Sequence, residues 1–226
     1  MSNGLQKVYQ NAGTIIAFAP TLDPSHIDDV LVSELCAQLV TQRAVNESPS
    51  EYDWVELYLR ALKQYAWGVC YRRQYSIGGG ALEGVTPRDE VLRLFAHMRD
   101  MNTGYLAQAV SQAMSVLQRL ALGLSAPTAS HHDTAGGHHH VLHLSAVDAD
   151  AILHSVRLSF LSREAQTPAS ILQPFDVNQV LGNVEILAFS AELSDIGYDD
   201  YRDGLKEKVA EKARELTVRL QVNDEQ

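Results

Sequence analysis

Two alternating segments either side of Asp148-Ala149-Asp150 constrain this chain more than anything else in it. In Val156-Arg157-Leu158-Ser159-Phe160, apolar and polar residues alternate with the period of two shown by half-buried strands. Leu142, Leu144 and Ala146 alternate likewise, with His143 and Ser145 between them. Aspartate suits the intervening turn because its side chain bonds to nearby backbone and tolerates turn geometry. The pattern predicts a β-hairpin over 141–147 and 151–161. With a three-residue loop, Val147 faces Ala151, Leu144 faces His154, Leu142 faces Val156, His140 faces Leu158 and His138 faces Phe160. That register gathers the apolar residues on one face, and places His154 among them as a core histidine.

Other elements follow in chain order. Residues 13–19, GTIIAFA, predict a short strand that Pro20 stops. Pro24-Ser25 opens a helix, with Ser25 read as its cap and Ile27, Val30, Leu31, Leu35, Leu39 and Val40 as its apolar stripe. Ser48-Pro49-Ser50-Glu51 has the cap, proline and acid of a helix start, and Val55, Tyr58, Leu59, Leu62 and Tyr65 face inward. Residues 67–77 predict a strand covered closely on both faces, with large residues on one side and small ones on the other. A glycine-rich link leads to a helix capped by Thr86 and opened by Pro87, with Val91, Leu94, Phe95 and Met98 inward. A fourth helix spans about 105–122 and has an almost uncharged polar side, Gln108, Ser111, Gln112, Ser115 and Gln118. A face of that kind suits packing or a second subunit. Residues 184–193 predict a strand that changes phase between Ile186 and Leu187, and 198–222 a final helix with a narrow stripe and dense charge.

Strands that neighbour one another, with helices before and after, predict an α+β fold: an antiparallel sheet of about four to five strands carrying the 141–147/151–161 hairpin, with helices packed on it. The chain reads as a single domain over 1–226. Its small-residue stretch 123–137 is a flexible loop and the one place where it could divide.

Composition removes several functions. A net charge of −10 opposes sequence-independent nucleic-acid binding, which needs Lys and Arg against phosphate. Cys36 and Cys70 form no metal or disulfide pattern and read as buried thiols. No apolar run is long enough for a transmembrane segment, and residues 15–19 are too short for a secretory h-region. A cytoplasmic location is therefore expected, although export without a signal leaves no mark in sequence.

One cluster suggests chemistry. His131, His132, Asp133, His138, His139, His140 and His143 fall within thirteen residues. Neutral imidazole with carboxylate is the usual ligand set for zinc and other divalent transition metals. On a strand, His138 and His140 point to one side about 7 Å apart and can grip one ion, with Asp133, His131 or His132 returning from the loop as a third ligand. Against this, no HExxH or second metal element accompanies them, and a histidine-rich loop can simply be solvated. The other acids have plain readings. Asp148 and Asp150 belong to a turn, Asp199, Asp200 and Asp203 to a helix start, and His97 with Asp100 to a surface pair. The glycines before Pro87 lack the lysine of a phosphate loop. No nucleophile, base and oxyanion donors assemble.

The leading expectation is a non-catalytic interaction or structural protein that works as a homo-oligomer or with another protein. The alternatives are a metal-binding protein or metal-dependent enzyme using the 131–143 cluster, and a carrier of a small apolar ligand beside Trp67, Tyr71 and Tyr75.

Overall fold

A computed structural model describes residues 7–47, 53–98, 110–115, 131–132, 137–163, 173–176 and 178–220. Its strands are β1 (Lys7–Asn11), β2 (Thr14–Phe18), β3 (Trp67–Gly78), β4 (His131–His132), β5 (His138–Val147), β6 (Ile152–Ser162), β7 (Val180–Leu193) and β8 (Thr217–Leu220). Its helices are α1 (Pro24–Glu47), α2 (Trp54–Gln64), α3 (Pro87–His97), α4 (110–115) and α5 (Asp195–Leu216).

Capping explains the helix starts. Asp23, not Ser25, caps α1, its Oδ1 accepting from the Ser25 N–H at 2.8 Å. Asp53 caps α2 by accepting from the Val55 N–H. The start expected at Ser48-Pro49-Ser50-Glu51 lies outside the described residues. Thr86 caps α3 and Pro87 opens it as expected. Of the helix expected over 105–122, only 110–115 is described. There Ser111 and Gln112 are half-buried within the chain, so part of the uncharged face is covered by the molecule itself.

The sheet is larger than the four to five strands expected. Seven strands run in the order β3-β7-β6-β5-β2-β1-β8, with β4 beside β5 off that path. All pairs are antiparallel except β2 on β5, which is parallel. The final helix also ends earlier than expected. Thr217 and Val218 are β-branched and stiff at χ1, and the chain leaves α5 there to pair with β1. The strand at 67–77 is present but lies on the sheet edge with its small-residue face exposed, so it is not covered on both sides. Cys70 on that face is exposed, whereas Cys36 is buried.

The hairpin forms, but two residues out of the expected register: Val147 pairs with Leu153, Ala146 with His154, Leu144 with Val156, Leu142 with Leu158 and His140 with Phe160. Five residues, rather than three, lie between Val147 and its partner. The Asp148 N–H donates to the Ile152 carbonyl and Ala151 takes φ 65°. A shift of two keeps every side chain on its face, so the grouping of apolar residues survives.

Helices cover both faces. On one, Leu142, Leu144, Val156, Leu158 and Ile186 pack with Val91, Leu94 and Phe95 of α3 and with Val110 and Met114 of α4. On the other, Ile16, Phe18, Val147, Leu153 and Phe189 pack with α1, α2 and α5. The polar alternates of β5 and β6 face the second layer and are buried there: His143 is 4% exposed, Ser155 0% and Arg157 7%.

The turn is tested by two substitutions of opposite sign. Asp148 accepts from the Asp150 and Ile152 N–H groups through Oδ1, and its Oδ2 lies 2.9 Å from Nε2 of buried His154. Asp148→Ala is expected to cost about 2–3 kcal/mol in urea denaturation. Ala151→Gly, by relieving a left-handed alanine, should gain up to about 1 kcal/mol.

Candidate functional site

The buried polar face of β5 and β6 meets a matching polar stripe on α1. Leu31 and Leu35 bury that helix by hydrophobicity, but Glu34 and Gln38, one turn apart, lie beside them and are also buried. A carboxylate in such a place requires donors. Glu34 accepts from Asn11 Nδ2 at 2.5 Å, Thr14 Oγ1 at 3.1 Å, Gln38 Nε2 at 2.6 Å and the Tyr58 hydroxyl at 3.0 Å. Thr14 Oγ1 also lies 2.8 Å from His143 Nδ1, and His143 Nε2 lies 2.8 Å from Ser155 Oγ. Because Thr14 donates to Glu34, it receives the Nδ1 proton, and Nε2 accepts from Ser155. Ser145 Oγ closes the chain by donating to Ser155 Oγ at 2.9 Å.

Burial sets the charges along this seam. It pushes the Glu34 carboxyl up to about 7 against its four hydrogen bonds. It pulls His143 down to about 3, helped by the Arg157 charge, so the imidazole is neutral at physiological pH. Arg157 falls to about 10, again chiefly by burial, and keeps its charge.

Arg157 is the exception to a seam otherwise fully bonded. Its Cζ lies 4.3 Å from the Trp54 ring centroid, a cation–π contact. Trp54 in turn stacks on Tyr58 at 4.7 Å. Among the described residues no carboxylate lies within 4 Å of the guanidinium to form an ion pair, and its buried Nε has no hydrogen-bond partner. Arg157 and Trp54 border a cavity of about 270 Å³ between the sheet, α1 and the first turn of α2. Leu39, Val45, Trp54 and Val141 supply its apolar walls, and Gln38, Gln42, His139 and His143 its polar points.

The expected metal ligands divide between the faces. His138 and His140 share one, their ring centroids 6.4 Å apart, and His140 Nε2 lies 2.8 Å from Ser162 Oγ. His139 and His143 take the other face and border the cavity. In the backbone register His132 pairs with His138 and His131 with His139, which separates two residues grouped together from sequence. Asp133 lies outside the described residues, as does Asp100. Among the described residues, no group of three or more His, Cys, Asp or Glu is placed to hold a metal ion. His154 faces Ala146, not Leu144, and its ring nitrogens lie within 2.9 Å of Ser190 Oγ and Asp148 Oδ2. A wider groove near Asp23, Asp195 and Asp199 contains one buried carboxylate, Asp29, already paired with Arg202 and Lys206.

Glu34, Arg157 and Trp54 escaped the sequence analysis as site residues. The available signal was a Glu-x-x-x-Gln pair inside an otherwise apolar helix stripe, facing a strand whose alternation contains an arginine.

The fold and site together define a mixed sheet covered by helices on both faces, with a polar seam leading to a cavity. No family model and no curated protein matches the chain. Among solved structures, the activated Cyt2Ba monomer from Bacillus thuringiensis subsp. israelensis is similar at 11% identity and TM-score 0.48, over 80% of this chain and 97% of that one. A structure described as a delta-endotoxin is similar at 12% and 0.45, over 80% and 82%. The Evf virulence factor is similar at 13% and 0.32, over 94% and 83%. At these values the likenesses carry no functional inference.

The seam predicts a pH signature. Glu34 is a weaker acid folded than unfolded, so its stabilising contribution is complete below about 4.5 and is lost as pH rises through about 7. The loss is at most about 3 kcal/mol. His143 acts oppositely, its contribution being lost as pH falls from 6.5 toward about 3. Thermal unfolding should show the two slopes opposing each other between about pH 4.5 and 6.5 and a net decline in Tm only from there to about pH 7, and Glu34→Gln should remove that decline and let Tm rise with pH across the lower window. An unchanged slope in the variant would assign it elsewhere.

Proposed function

We propose that this chain is a non-catalytic binding protein that holds a small, largely apolar molecule in the cavity beside Trp54 and Val141. The observation that carries this reading is the cavity itself. Apolar walls over a few fixed polar groups are the usual make-up of a small-molecule site, and about 270 Å³ lies close to the ~300 Å³ lower end of such sites. The floor is held in place by the hydrogen bonds from Glu34 through Thr14 to His143, so little order has to be created on binding. Two Ser–His contacts lie nearby, His143 with Ser155 and His139 with Ser159, and in both the serine is buried and is not among the residues lining the cavity, which supports binding over catalysis. The carrier reading made from sequence thus keeps its class but moves away from Tyr71 and Tyr75, which pack on the opposite layer, and from Trp67, which lies in the layer of the cavity without lining it.

A second reading, a zinc or other divalent-metal site at His138 and His140, is favoured by their adjacent rings and by the backbone pairing of His132 with His138. Metal analysis after refolding with Zn²⁺ tests it. One ion per chain, lost in His138→Ala, would support it.

The cavity reading is tested with 4-phenylbutanol, an uncharged probe. In a Trp67→Phe background, Trp54 fluorescence should change saturably with the probe, and Val141→Phe should abolish the change by filling the site without adding a second indole. Failure of this probe and of charged probes with the same body to bind would end the reading.

A further inference from the structure

A buried cation with no partner is an incomplete site. Withdrawing a guanidinium from water is costly unless hydrogen bonds and opposite charge replace the solvent. Arg157 is 93% buried by its 7% exposure, and its Nε has no partner among the described residues. Trp54 covers one face of the group. The ring quadrupole attracts the cation but accepts no N–H in the guanidinium plane. Asp53 contributes favourable charge, yet its carboxylate accepts the Val55 N–H as the cap of α2. His143, the next polar group on the cavity floor, is bonded through both ring nitrogens. Among the described residues Arg157 therefore borders the cavity with donors unused and without an ion pair, Asp53 acting on its charge only through space.

We infer, resting on the binding reading above, that the ligand is an apolar monocarboxylate whose carboxylate sits against the Arg157 guanidinium and whose body lies along Trp54 and Val141. Three features select this class. The guanidinium fork matches the two oxygens of a carboxylate, in the geometry of the strongest charge-assisted hydrogen bonds. A single cation balances a single negative charge. A phosphate monoester would bring nearly two, toward a seam that already contains Glu34, whose carboxyl becomes anionic near neutral pH. The walls beyond Arg157 are apolar, so the rest of the ligand is expected to be hydrocarbon, with Gln42 at the mouth for a polar end.

Three probes share one body and differ in head group: 4-phenylbutanoate, 4-phenylbutanol and 4-phenylbutylamine. In the otherwise wild-type Trp67→Phe protein, affinity should fall in that order, the acid binding about tenfold or more tighter than the alcohol. In Arg157→Met, which keeps a flexible apolar stem over Trp54, the acid should lose that advantage while the alcohol keeps its affinity within about threefold. The order among the three probes needs no variant, so it stands as a test even if Arg157→Met does not fold. Equal binding of acid and alcohol would overturn the carboxylate assignment and leave the cavity reading intact. Binding of none of the three would overturn both.

Discussion

A sheet covered on both faces must place the polar half of any alternating strand inside the molecule. That requirement shapes this protein. β5 and β6 direct leucines and valines toward α3 and α4, and histidine, serine and arginine toward α1 and α2. The second layer holds because α1 supplies Glu34 and Gln38 where the strands present Thr14 and His143. Buried polar groups are tolerable when each finds a partner, and a half-satisfied network is worse than none. From Glu34 to Ser145 each hydroxyl, imidazole or carboxyl lies within hydrogen-bond distance of the next.

The same rule makes Arg157 informative. It lies two residues along the strand from Ser155, at the end of a seam that is otherwise bonded, and it borders a cavity, with no ion pair to an acid among the described residues. A structural arginine in such a layer would be expected to pair with a carboxylate, as Arg202 does with Asp29 a few residues along α1 from Glu34. A ligand that completes Arg157 would exchange water for a fixed partner in a site already organised by its neighbours.

Much of this was legible in the sequence. The hairpin, the cap at Thr86 and the stripes of α2 and α3 follow from local rules that tertiary structure did not override. The hairpin register shifted because Ala151 entered the turn in a left-handed conformation, which alanine seldom adopts and sequence does not announce. The parallel pairing of β2 with β5 brings together residues more than a hundred positions apart, and no periodicity encodes such a contact. β8 was hidden behind a charged helix that ends only one residue before it. The site was missed for a different reason. An alternating strand looks the same whether its polar side meets water or the polar stripe of a helix, so Arg157 and His143 read as outward residues.

The central claim is that Arg157 is enclosed in the molecule against the Trp54 ring. Its side-chain Nε–H resonance in ¹⁵N-resolved NMR of the unliganded protein tests this most directly. Enclosure predicts a separate signal that exchanges slowly with water and is displaced by the indole ring current, the displacement disappearing in Trp54→Leu. A rapidly exchanging signal at the position of a free arginine would contradict it.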